Sequence, residues 1–167
     1  VFATDRCHRL EDPWRDGAIP VKFYDEEAFV EAICEENSCR RFDGLLALGD
    51  RSAVLGSLAS QAMGLPGHPP SATRASGNKL ESRRRFAAAG LLYPNFREMS
   101  LGNAADLEVG EDEFPCVLKP VALSGSRGVV RVDGPEELLA ATERVCRMLV
   151  RPDILERRHR DDDKLVL

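Results

Sequence analysis

Within its first 65 residues the chain alternates between short apolar runs and stretches with helical spacing. Val1 to Thr4 and Ile19 to Phe23 predict short strands, separated by a polar loop that holds Cys7-His8 and Asp12-Pro13-Trp14. Asp25 is placed to cap a helix over 26–40, with Ala28, Phe29, Ala32 and Ile33 on one face. Phe42 to Leu48 ends in the continuous run Leu45-Leu46-Ala47-Leu48, the habit of a parallel strand covered on both faces. Asp50 then predicts the cap of a helix with the face Val54, Leu55, Leu58 and Ala62, closed by Gly64 with Pro66 beyond. Strand, helix, strand, helix in this order predicts an α/β fold with a parallel sheet.

The rest of the chain reads as a second α/β piece. Residues 66–77 are rich in Pro, Gly and Ser and predict the boundary, giving domains of 1–76 and 77–167. Asn78 suits the cap of a helix over 79–89, closed by Gly90. An irregular loop is expected over 93–113, then a strand from Phe114 to Lys119 that Pro120 ends. The turn Ser124 to Gly128 leads into a strand from Val129 to Val132. Asp133-Gly134-Pro135-Glu136-Glu137 is a helix start with a cap, a first-turn proline and first-turn acids. Leu138, Ala141, Val145, Cys146 and Leu149 form its apolar face, and 156–164 is a charged loop.

Composition narrows the function classes. Apolar residues make up 43% and charged residues 31%, which excludes wholesale disorder. No apolar run approaches the roughly 18–20 residues that span a bilayer, so no membrane partner is expected. A formal charge of -5 argues against non-specific nucleic-acid binding. Five scattered cysteines without a CxxC predict reduced thiols and a cytoplasmic protein. The chain has no initiator Met, opens in the run Val1-Phe2-Ala3 and stops in Leu165-Val166-Leu167, which predicts a fragment cut at both ends.

One segment points to chemistry. Lys119 ends an apolar strand, and five residues later a small-residue turn, Ser124-Gly125-Ser126-Arg127-Gly128, feeds a second strand. Such a turn exposes backbone N–H groups that can face phosphate oxygens, and a lysine ammonium adds a compact charge beside them. Gly-Ser turns also close ordinary hairpins, so the purely structural reading stands next to the triphosphate clamp. Two other nucleotide motifs are disfavoured. Gly77-Asn78-Lys79 lacks the Gly-Lys-Ser/Thr core of a P-loop, and no GxGxxG follows a strand.

Three segments in series resemble the ATP-grasp superfamily, the group of biotin carboxylase, carbamoyl phosphate synthetase and amino-acid ligases. Gly64-Leu65-Pro66-Gly67-His68-Pro69-Pro70 is similar to the turn that closes the Rossmann-like pre-grasp domain. Asn78-Lys79-Leu80, with Arg84 and Ala87-Ala88-Ala89-Gly90-Leu91, resembles the helix bearing the first nucleotide-binding lysine. Phe114 to Pro120, through Ser124 to Val129, resembles the second lysine and the phosphate-covering loop. The opening Ala3-Thr4-Asp5-Arg6-Cys7-His8 looks like the second strand of the pre-grasp domain.

The resemblance implies a partial pre-ATP-grasp domain followed by the first part of an ATP-grasp domain, with its lid over about 114–160. It implies an ATP-dependent ligase that activates a carboxylate as an acyl phosphate for attack by an amine or another nucleophile. Lys79, Lys119, Ser124, Gly125, Ser126, Arg127 and Gly128 would contact ATP, and Mg²⁺ would serve as the second cofactor. Leu165-Val166-Leu167 looks like the strand leading to the adenine hinge, and the metal-ligand Glu and Asn of the family are absent. The piece alone is therefore expected to be inactive. The competing reading is a non-catalytic nucleotide-binding or scaffold module with the same fold.

Other residues have plainer readings. Asp161-Asp162-Asp163 could bind Mg²⁺ but fits a solvated loop better. Cys7-His8 could be a metal pair or a nucleophile with its base, yet adjacent side chains point apart on extended chain. Cys34 and Cys39 do not share a helix face well. His68 fits an exposed turn and Arg83-Arg84-Arg85 a polar helix face, each with a nucleotide-lining alternative.

Overall fold

A computed structural model describes residues 1–5, 17–100, 109–155 and 164–167. The chain divides into two units, Val1–Gly77 and Asn78–Leu167. Cys7-His8 and Asp161-Asp162-Asp163 lie outside the described residues.

In the first unit, β1 (Phe2–Thr4) and β2 (Ala18–Pro20) pair in parallel, with Ala3 opposite Ile19. The helix α1 (Glu26–Cys39) starts as its sequence predicts, the Asp25 carboxylate accepting from the Ala28 N–H at 3.0 Å. Phe29 and Ile33 of α1 are buried with Ile19, Val21 and Leu55. The helix α2 (Asp50–Ala62) departs from expectation at its start and on its face. Its cap is Gly49, at φ 106°, and Asp50 is the first helical residue. Leu55, Gly56 and Ala59 are buried, whereas Val54 and Leu58 are half-buried and Ala62 is exposed. Small residues face inward because the chain at 45–47 runs close by. A Cβ on Gly56 would sit 2.9 Å from both Ala47 Cβ and Leu45 Cδ2. Gly64, at φ 66°, ends α2, and the Leu65 N–H reaches back to the Ser60 carbonyl at 2.9 Å.

The predicted strand Phe42–Leu48 is not a strand. Among the described residues none pairs with it in a ladder. Leu45 packs into the core beside α2, while Leu46 and Leu48 are 86% and 80% exposed. Its apolar run therefore covers one face only. Most of the boundary segment 66–77 is a helix, α3 (Pro70–Gly77). Pro70 occupies the first helical position, where its missing N–H costs nothing. The Thr73 and Ser76 hydroxyls donate to carbonyls three residues back, at 3.0 and 2.8 Å.

The second unit is a four-stranded antiparallel sheet with helices. The helix α4 (Lys79–Ala88) is capped as predicted, Asn78 Oδ1 accepting from the Glu81 N–H at 3.0 Å. The sheet order is β3-β6-β4-β5, with β3 (Glu98–Ser100), β4 (Cys116–Pro120), β5 (Val130–Val132) and β6 (Lys164–Val166). Strand β3 lies inside the stretch expected to be irregular. Its three residues bury Met99 alone, too little to print a period. Pro120 does not end the ladder but pairs with Leu165 as the last residue of β4.

One sheet face, with Met99, Leu118, Val132 and Leu165, packs on α5 (Pro135–Leu149) through Leu138, Ala141, Val145 and Leu149. Cys146 is only half-buried beside that stripe. The cap of α5 is Gly134, not Asp133. The Asp133 carboxylate turns to Arg131 Nε at 2.8 Å, and its N–H donates to Glu137 Oε2 at 2.9 Å. A short helix, α6 (Pro152–Leu155), follows and buries Ile154 in the same core. No helix among the described residues is long and apolar enough to cross a membrane.

Candidate functional site

Strand alternation decides where Lys119 goes. Leu118 and Pro120 are buried, Leu118 in the α5 core, and Lys119 follows Leu118 on the opposite face with Val117. Across the ladders, Lys119 faces Val166, Val166 faces Glu98, and Val117 faces Arg131. Leu80 of α4 packs against Val166 and Val121, which puts the start of α4 on the Lys119 side of the sheet.

Lys79, the first residue of α4, is tied to the chain just beyond Lys119. Its main-chain N–H donates to the Val121 carbonyl at 3.2 Å. Its ammonium donates to the Leu123 carbonyl at 2.8 Å and to the Val121 carbonyl at 3.3 Å. Lys79 is thus bonded to the chain two and four residues past Lys119, between β4 and the glycine loop.

The loop itself is built on left-handed backbone. Gly125, Ser126 and Gly128 have φ of 66°, 56° and 72°. Two consecutive positive φ values, at Gly125 and Ser126, form the hairpin turn closed by the Arg127 N–H on the Ser124 carbonyl at 3.4 Å. The Val129 N–H closes the next turn on the Ser126 carbonyl at 3.2 Å. Among the described residues, the N–H groups of Gly125, Ser126 and Gly128 have no protein acceptor. Ser124 to Arg127 are exposed. Gly128 is the packed end of the loop, with Met148 and Pro120 against its α-carbon.

The loop is cationic in sequence. Lys119 to Gly128 contains Lys119 and Arg127 and no carboxylate. The acid in the same row, Glu98, is already engaged. Lys164 Nζ reaches it at 2.8 Å, and Arg84 Nη2 takes its other oxygen. The bond from Lys164 leads in holding its carboxyl below the ordinary carboxylate value, opposed by partial burial and aided by the charges of both cations. Sequence reasoning did not find this cluster, whose members come from α4, β3 and β6 and become neighbours only in the folded sheet. Burial pushes the Cys116 thiol up, with Glu113 and Asp133 adding to the effect.

The remaining candidates fall elsewhere. His68 is exposed. Arg84 pairs with Glu98, and Arg85 with Glu81 one turn back at 2.8 Å. Cys34, Cys39, Cys116 and Cys146 are free thiols. Among the described residues no three His, Cys, Asp or Glu converge as a metal site.

No family model matches the chain. In structure it matches an L-amino acid ligase from Bacillus licheniformis with a TM-score of 0.65 and 28% identity, over 89% of this chain and 32% of that one. Its fold is that of the ATP-grasp ligases. A D-alanine–D-alanine ligase from Bacillus anthracis matches with a TM-score of 0.56, over 89% of this chain and 45% of that one. At 18% identity that likeness is one of fold. In sequence, the chain is 31% identical to a D-alanine–D-alanine ligase of Trichlorobacter lovleyi over 99 residues, 59% of this chain and 32% of the relative. The chain thus spans about a third of the length of that ligase.

Proposed function

We propose that the whole protein is an ATP-dependent ligase that activates a carboxylate as an acyl phosphate for attack by an amine or another nucleophile. The observation that carries this reading is the bond of Lys79 to the chain just past Lys119, where a loop with unpaired N–H groups begins. Phosphoryl transfer asks a protein mainly for positioning and charge neutralisation, and these groups supply both. Lys119 would lie against the phosphate chain as a fixed cation. The N–H groups of Gly125, Ser126 and Gly128 would take phosphate oxygens, with the Ser126 hydroxyl and Arg127 over the outer face. Ser124 accepts the bond that closes the turn and fixes its shape.

In this reading, residues 1–76 form part of a pre-ATP-grasp domain and 77–167 the first part of the ATP-grasp domain, with the lid over about 114–160. Mg²⁺ would be held by residues other than these. The likeness to an L-amino acid ligase makes L-amino acids the first carboxylates and amines to try, in a cytoplasmic protein. The test is thermal stabilisation of the full-length protein by Mg-ATP, with Lys119→Ala alongside. A ligand at a hundredfold excess over Kd adds about 2.7 kcal/mol to the native state. A rise in Tm that the substitution removes supports the site. An equal rise in both proteins removes Lys119 from it.

A further inference from the structure

Between Lys119 and the glycine loop, just past Pro120, run three residues, Val121-Ala122-Leu123, that form no part of β4 or β5. They are the hinge on which the loop hangs. Val121 is fixed on one side, its N–H donating to the Lys164 carbonyl at 3.0 Å and its side chain buried with Leu80 and Val166. Beyond it the loop has its own two turns, Arg127 on Ser124 and Val129 on Ser126. A second tie between the hinge and the rest of the unit is Lys79. Its ammonium spans the two ends of the hinge, bonding the Val121 and Leu123 carbonyls, while its own N–H takes Val121 as well. Residues 42 and 44 positions away are thereby clamped to the first turn of α4. Asn78 caps that turn and Leu80 is buried next to Lys79, so the clamp stands on a fixed base.

We infer that Lys79 is a positioning residue that pins the hinge of the 124–128 loop and so sets the direction of the loop's N–H groups before any nucleotide arrives. This rests on the reading of that loop as the phosphate cover. It differs from a direct phosphate contact in what it demands of the empty protein. An ammonium on a carbonyl is a charge-assisted bond, stronger than a neutral one, and its loss frees the hinge whether or not ATP is present.

The experiment is hydrogen exchange on the nucleotide-free full-length protein and its Lys79→Met and Lys79→Arg variants. The amides to follow are those of Val121, Arg127 and Val129, each bonded to a carbonyl in the structure. Methionine keeps the stem and removes the donors, whereas arginine keeps donors and charge. The expected result is exchange about tenfold faster at these amides in Lys79→Met, with Val130 to Val132 unchanged and protection largely kept in Lys79→Arg; tenfold corresponds to about 1.4 kcal/mol. Unchanged exchange in Lys79→Met overturns the pin, even where Mg-ATP affinity falls. If Lys79→Met fails to fold, Lys79→Arg decides: protection retained supports the pin, and exchange tenfold faster in a folded Arg variant contradicts it. Nucleotide binding abolished by Lys119→Ala is read separately, so the ligase reading and the pin can fail independently.

Discussion

The α-carbon of Gly128 lies against the ring of Pro120, so that a methyl group there would sit 2.8 Å from Pro120 Cγ and 2.6 Å from Met148 Cε. The methionine tip can swing away, but the proline ring is fixed in β4. Gly128 also holds φ at 72°, where a Cβ costs about 1–2 kcal/mol. Gly128→Ala is expected to lower the unfolding free energy by about 2 kcal/mol or more in chemical denaturation. Gly125, at φ 66°, has open space within 4 Å of where a Cβ would stand, so it carries the conformational cost alone. Gly125→Ala should therefore cost about half as much, and equal losses at the two glycines would contradict the packing of Gly128 on Pro120.

Glu98 gives a pH signature. Its folded carboxyl titrates below the ordinary value of 4.5, chiefly because Lys164 donates to its carboxylate. A group with a lowered folded pKa contributes stability that is fully present above the unfolded pKa and is lost as pH falls through the folded one. Glu98→Gln should therefore cost stability at pH 7, by about 0.2–1 kcal/mol for a partly exposed pair. The difference between the proteins should shrink as pH falls below 4.5. A difference that stays constant through that range would show that the ion pairs of Glu98 with Lys164 and Arg84 contribute nothing.

Thr142 is a buried hydroxyl in the α5 core, and its Oγ1 has no hydrogen-bond partner among the described residues. Valine has the same shape and no polar atom to desolvate. Thr142→Val is expected to stabilise the protein by about 1 kcal/mol, seen as a higher midpoint in urea with an unchanged slope. A loss of stability would mean that the hydroxyl has an acceptor after all.

The cap of α4 carries Lys79 into place. Asn78→Ala removes the acceptor for the Glu81 N–H and should cost about 1 kcal/mol, with Asn78→Asp restoring most of it. If alanine has no effect on stability, the fixed base assigned to Lys79 is lost.

How much of this is legible in the sequence depends on the range of the cause. The helices α1, α4 and α5 are readable because their signals are local: Asp25, Asn78 and Pro135 at the starts, and apolar residues at helical spacing after Pro135. The turn at Ser124 to Gly128 is readable because its glycines supply the positive φ it needs. What fails depends on distant partners. Phe42–Leu48 has the composition of a buried strand, but strand formation needs a ladder, and among the described residues Leu46 and Leu48 have neither a ladder partner nor cover. The inward face of α2 is misread because Gly56 faces the core only when Leu45 and Ala47 lie against it. Lys79 and Lys119 stand out as residues, but the carbonyls that hold the Lys79 ammonium lie 42 and 44 residues along the chain and print no pattern.

The most direct test of the central claim is phosphate release from Mg-ATP by the full-length protein, offered pairs of L-amino acids, with Lys119→Ala as the comparison. Removing one preorganised charge at a transferring group costs on the order of a hundredfold or more in rate. The predicted result is release that requires the substrates and falls by at least about that factor in Lys119→Ala. Release at the same rate in the variant would contradict the assignment of Lys119 and its loop to the phosphates.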